Sequence, residues 1–195
     1  MRKFLGLLLA AASLSSGMLQ ASVIHFDELG VPGWVYPDYS NTGFVSQGFA
    51  FSENMDVVDV GPGGGIWSGG VGSGHSGNYA AFNDFGGTML MTRQGGGAFV
   101  VDNLWLNGWQ GVPTVSLIEG YLNGALAGSV LASYSSPWSQ VLTGFGTIDT
   151  LSISGGLFLV DDIAINDGHH PLPEPASLSL LALGLLGVLG CRRRG

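Results

Sequence analysis

Thr114-Val115-Ser116-Leu117-Ile118-Glu119-Gly120-Tyr121-Leu122 runs into Asn123-Gly124 and then into Ala125-Leu126-Ala127-Gly128-Ser129-Val130-Leu131-Ala132-Ser133-Tyr134. Two strand-like runs around an Asn-Gly pair predict a β-hairpin. A two-residue turn of the hand that suits twisted strands needs positive φ at both positions, and Asn and Gly tolerate it. Shorter runs of the same kind extend in both directions. Upstream lie residues 23–26, 43–51, 55–60, 79–82, 88–92, 97–102 and 104–106; downstream lie 140–145, 150–154 and 157–165. Gly, Asn, Asp and Pro separate them, and no long run repeats at helical spacing. Many strands with short connections predict an all-β fold, an antiparallel β-sandwich of jelly-roll type. Residues 61–77 are mostly Gly and Ser, with Ile66, Trp67 and Val71 interspersed, and read as a long flexible surface loop.

Charge is distributed unevenly along the 195 residues. Of six basic residues, Arg2, Lys3 and Arg192 to Arg194 belong to the ends; Arg93 alone remains in the body. Against it stand thirteen of the fourteen acidic residues, a net charge of −12 over residues 22–172. Such a surface repels nucleic acid and anionic lipid, which excludes nucleic-acid binding, and it attracts divalent cations. Cys191 is the only cysteine, so the body has no disulfide and depends on packing or on a metal.

The ends carry the address. Arg2-Lys3, the apolar stretch 4–12 and the small-residue exit Leu19-Gln20-Ala21 predict a secretory signal peptide over 1–21. An exported domain over 22–168 and a linker over 169–175 follow. Residues 176–195 then form an uncharged apolar helix, short for a span, and a basic tail. Arg192, Arg193 and Arg194 stay on the cytoplasmic side and orient the body outward. Pro173-Glu174-Pro175, the apolar helix and the arginine cluster together resemble the PEP-CTERM sorting signal of Gram-negative bacteria. That resemblance implies recognition by an exosortase and export across the inner membrane. A transient membrane anchor and delivery to the cell surface or extracellular matrix would follow. The alternative is a plain tail anchor. The body, through Ile24 to Leu29, Glu119 to Gly124 and Phe158 to Asn166, resembles β-sandwich domains carried by PEP-CTERM proteins, and its ends look like carbohydrate-binding jelly rolls.

Catalytic patterns are weak. Gly72-Ser73-Gly74-His75-Ser76-Gly77 matches a dinucleotide fingerprint but lacks the strand-to-helix context that would aim a helix N-terminus at a pyrophosphate. A Ser-His-Asp set can be written from Ser73 or Ser76, His75 and Asp84, without a nucleophile elbow. Asp27-Glu28 after the first strand and Asp161-Asp162 in the last would converge if those strands are neighbours, and four carboxylates suit Ca²⁺. The alternative is that Asp162 terminates a strand and the others are solvated. Trp105, in a strand, reads as core. Trp34, Tyr36, Trp67, Trp109 and Trp138 stand beside Gly or Pro in loops, where aromatics either stack on sugar rings or plug sheet edges; Trp67 and Trp109 are the ligand-binding candidates. The leading expectation is a non-enzymatic structural or adhesive module of the envelope or biofilm matrix. A carbohydrate-binding module for exopolysaccharide is the alternative, and a secreted hydrolase the next.

Protein recovered from a native host is expected to lack residues through about Ala21 and to end near Pro173-Glu174-Pro175. Intact-mass measurement reads both ends at once. A mature form that still ends in Arg194-Gly195 would indicate a plain anchor.

Overall fold

The computed structural model describes residues 22–36, 42–68 and 71–166. The expected signal peptide, linker, sorting motif and apolar helix lie outside the described residues. The chain divides into a unit of residues 20–168 and a second of 1–19 with 169–195, and all described residues belong to the first.

Among the described residues of this unit there are fourteen strands: β1 (Ser22–Ile24), β2 (Val35–Tyr36), β3 (Phe44–Ser46), β4 (Phe49–Phe51), β5 (Met55–Asp59), β6 (Tyr79–Asn83), β7 (Met89–Arg93), β8 (Phe99–Gly108), β9 (Thr114–Leu122), β10 (Ala125–Tyr134), β11 (Ser139–Leu142), β12 (Thr147–Ile148), β13 (Thr150–Ser154) and β14 (Phe158–Ile165). Single 3-10 turns at Asp27–Leu29, Gly65–Ser68, Asp84–Gly86 and Trp109–Gly111 are the only helical elements among the described residues. The strands form two antiparallel sheets. The first runs β11-β8-β14-β6-β5-β2, with β1 also on β14 and β12 on β8; the second runs β10-β9-β13-β7-β4-β3. The all-β antiparallel sandwich is therefore observed.

The hairpin forms as its sequence dictates. Leu122 pairs with Ala125 across the turn, and Asn123 and Gly124 have φ of 53° and 76°. Residues 43–51 are a second hairpin rather than one strand, turning at Gln47-Gly48, with φ of 47° and 85°. The two runs 97–102 and 104–106 are one continuous strand, β8. Phe145 lies outside any strand. Its ring sits against Gly120 and Gly128 of the hairpin, where an added Cβ would collide with it.

Between the sheets lies a core that includes Phe26, Phe99, Phe158, Met55, Met89, Leu104, Leu106 and Ile118, all essentially inaccessible. Phe26 meets Phe44 and Phe51 edge-on, at 6.0 and 5.4 Å. Each such side chain contributes roughly 1.5–3 kcal/mol by burial, which accounts for stability without a disulfide. All of these core residues fall between Ile24 and Ile165, so this core is built within the unit.

The outer face of the first sheet is also apolar. Val58, Val60, Ala80, Phe82 and Leu159 are buried there under Trp67, Val71, Trp109 and Trp138. This corrects the expectation of a flexible surface loop at 61–77. A sheet that is apolar on both faces needs two covers, and the glycine-rich segment is the second. Trp105 departs from expectation in the same way. Its neighbours Leu104 and Leu106 point into the core, so alternation along β8 turns Trp105 to the outer face.

Gly124→Val is expected to lower stability by about 1–3 kcal/mol, the usual cost of forcing a left-handed conformation on a branched residue. Nothing lies within 4 Å of the added Cβ, so the loss is conformational and not steric. Urea unfolding checks it, and Gly124→Asn should lose much less.

Candidate functional site

Strand β14 changes partner half-way along. Leu159 and Val160 pair with β6, whereas Ile163 to Ile165 pair with β1. On its other side Asp161 faces Trp105 and Ala164 faces Asn103, so β14 carries one extra residue there, a β-bulge. Asp162 occupies it with φ of 44°, a conformation that Asp adopts more readily than most residues. The glycine-rich segment enters the gap. His75 and Ser76 donate their backbone N–H groups to Asp161 Oδ2 at 2.9 and 3.1 Å, and the Asp162 N–H donates to Asp161 Oδ1 at 2.8 Å. Ser76 Oγ donates to Asp162 Oδ1 at 2.6 Å, and His75 Nδ1 lies 2.5 Å from Asp162 Oδ2. The His75 ring stacks on Trp105, with centroids 3.7 Å apart and planes 16° apart.

Two more aspartates fasten the segment. Asn78 donates its N–H to Asp27 at 2.9 Å, and Gly77 must be glycine because a Cβ there would strike the Asp27 carboxylate. Asp59 accepts the N–H groups of Gly33 and Gly61, both at 2.9 Å. Asp161 is fully buried. Burial first, and the neighbouring Asp162 charge second, push its carboxyl up to about 8, against the pull of three backbone donors.

These contacts bear on the sequence expectations. The first and last strands are neighbours, as expected. Their carboxylates do not pool, however: Asp27 and Asp161 face backbone N–H groups, Asp162 faces His75 and Ser76, and Glu28 faces Ser46 Oγ at 2.5 Å and His25 Nδ1 at 3.3 Å. Among the described residues no group of three or more His, Cys, Asp or Glu is arranged to hold a metal ion. The paper triad does not form either. Ser76 and His75 both converge on Asp162, rather than the serine on the imidazole, and Asp84 lies in another turn.

The pinned segment brings Trp67 to the rim of a groove of 380 Å³, within the roughly 300–1,000 Å³ of ordinary ligand pockets. Trp34, Asp56, Phe82, Asp84 and Phe85 line the rest. Phe85 is 93% exposed and Trp34 is 55% exposed. Phe85 also has φ of 52°, in the left-handed region that bulky residues avoid at a cost of about 1–3 kcal/mol. Trp67 and Trp109 are both half-buried and contact each other, ring centroids 5.9 Å apart, while Trp109 lies 4.4 Å from Phe82. Trp109 lines a second depression of 460 Å³ with Gln110, Val112, Pro113 and Leu157. Trp67 thus belongs to the first groove and Trp109 to the second. Sequence reasoning missed Phe85. Its signal was an aromatic residue followed by Gly86-Gly87 between two strands, where a core residue has no reason to be.

Residues 171–194 match the family described as the PEP-CTERM protein-sorting motif. The chain carries a PEP-CTERM sorting signal. It marks an exported precursor, anchored in a membrane, sorted to the cell surface and processed by an exosortase. Among solved structures, a DUF4465 family protein from Bacteroides caccae has a TM-score of 0.55 and 9% identity, over 76% of this chain and 99% of that one. It shares the β-sandwich fold. TmCBM61, solved in complex with beta-1,4-galactotriose, has a TM-score of 0.37 and 16% identity, over 71% and 99% of the two chains. A xylan-binding domain from CBM 22 has a TM-score of 0.38 and 9% identity, over 72% and 98%. No curated protein is significantly similar to this PEP-CTERM chain.

The raised Asp161 carboxyl fixes a sign. Between its ordinary value of 3.8 and about 8, the folded protein holds a proton that the unfolded chain has released. Stability therefore falls as pH rises through that window and levels off above it. Urea midpoints at pH 5 and pH 8 are expected to drop for the wild type, and to drop less for Asp161→Asn. An equal or smaller drop in the wild type contradicts a buried proton.

Proposed function

We propose that this PEP-CTERM protein is a non-enzymatic, adhesive component of the cell surface or extracellular matrix that holds a neutral exopolysaccharide chain in the groove rimmed by Trp34, Trp67 and Phe85. The observation that carries the proposal is Phe85, a strained aromatic ring held almost wholly in water beside an exposed tryptophan. Strain of this kind persists where the surroundings enforce it, and it clusters at ligand sites. A flat apolar ring matches the apolar face of a sugar. The acidic lining, Asp56 and Asp84, disfavours anionic chains. The sorting signal supports the location, since it sends the domain to where such polymers lie. Both histidine and serine near Asp162 are engaged in fastening the glycine-rich segment, which supports binding over turnover.

Affinity electrophoresis and calorimetry of residues 22–168 against neutral polysaccharides test it. Phe85→Ala and Trp34→Ala are each expected to weaken binding about tenfold, equivalent to about 1.4 kcal/mol. Ile66→Ala, exposed on the same segment but outside the groove, should leave it unchanged. Binding unaffected by either aromatic change, or hydrolysis of the polymer, would overturn the proposal.

A further inference from the structure

We infer that β10 is a self-association edge, and that two copies of this chain pair their β10 strands antiparallel about a two-fold axis. The inference is independent of the groove.

The second sheet begins at β10, which pairs with β9 on one side and with no described strand on the other. Its register with β9 shifts once, between Leu126 and Gly128, and is regular from there to Tyr134. That regular part presents about 24 Å of straight backbone at the usual strand rise. Edge strands in soluble proteins are normally blunted by shortness, lysine, proline or bulges. The other edges here are short: β2 has two residues, β3 three and β11 four. The ten residues of β10 include no charge and no proline. Its N–H and C=O groups along the open side therefore form a template for another strand.

Charge says which strand. The exported part has a net charge of −12, and two copies repel wherever that charge is spread. Along β9 and β10 the only charged residue is Glu119, to which Tyr121 Oη donates at 3.0 Å; Asp149 is held at the turn end of the hairpin, where it accepts the Asn123 N–H at 2.6 Å. The β9–β10 hairpin is thus the surface on which two acidic copies can approach. A basic partner would instead be drawn to the acidic remainder. Apolar side chains continue from the edge onto the sheet face. Leu131 is 71% exposed and faces Leu117 across the pair, with exposed Val115 nearby and Leu90 two strands further on. Antiparallel pairing of a strand with its own copy closes by two-fold symmetry, so it yields a dimer with one sheet continuous across both copies. Such a dimer displays two grooves, which would raise retention on a polymer without any new sugar contact.

The test uses residues 22–168, which contain no cysteine. Light scattering with size exclusion, from low micromolar to sub-millimolar protein, should show mass rising from one copy to two. Leu131→Lys should raise the dimer dissociation constant at least about tenfold, because a charge on an edge opposes pairing. Ser129→Lys should do the same, and circular dichroism verifies that both variants stay folded. Under mild oxidation, Leu131→Cys should cross-link as a dimer, whereas Leu142→Cys, equally exposed on the β11 edge of the other sheet, should not. A monomer over the whole range would overturn the inference. So would a dimer indifferent to both lysine variants, or equal cross-linking at the two cysteines.

Discussion

A single buried carboxyl group holds the functional face together. Asp161 sits where β14 exchanges β6 for β1, and it takes three backbone N–H groups that would otherwise be stranded at the break. These donors are only partly buried, so an apolar residue at this position would leave them to solvent and release the segment from β14. With the carboxyl in place, residues 73–78 close over the outer face of the first sheet. Trp67 and Trp138 can then cover Phe82 and Leu159, and Trp138 adds a bond from its Nε1 to the Ser73 carbonyl at 3.0 Å. Trp67 reaches the rim of the groove from the earlier part of the same segment.

The domain carries few basic side chains against its acids. Thirteen acids face one arginine, and that arginine lies over the Phe49 ring at 4.8 Å. Asp27 and Asp59 accept peptide N–H groups, and Asp161, buried beside three of them, keeps its proton up to about pH 8. Glycine makes this possible at two levels. Gly77 lets the chain approach Asp27, and Gly64 lets it fold back over the Asp59 carbonyl where a Cβ would collide. Sixteen of the described glycines have positive φ, so much of the glycine also serves left-handed turns.

What could be read from the sequence was local. The hairpin from Thr114 to Tyr134 was legible because Asn123-Gly124 has a specific turn chemistry, and the two sheets follow from many such runs. The Gln47-Gly48 turn was not, since Gln rarely signals positive φ. The loop over 61–77 was misread because its ties are long-range: His75 and Asp161 are 86 residues apart, and a carboxylate that accepts a peptide N–H leaves no periodic trace. Phe85 and Trp105 show the converse limit. Trp105, inside a strand, reads as core, and only the direction of its neighbours reveals that it faces out, whereas Phe85 is betrayed only by the glycines that follow it.

Strand β14 has a further consequence, one of timing. It is the last strand in sequence yet it lies inside the first sheet, flanked by β8 on one side and by β1 and β6 on the other. Until it arrives, β1 lacks its partner, the sheet is split, and the glycine-rich segment has no Asp161 to settle upon. The second sheet needs nothing beyond Ser154, whereas the first cannot close without residues 158–165. The sorting motif at 171–194 follows within a few residues. The strand that joins the first sheet together thus lies only a few residues before the segment that an exosortase processes.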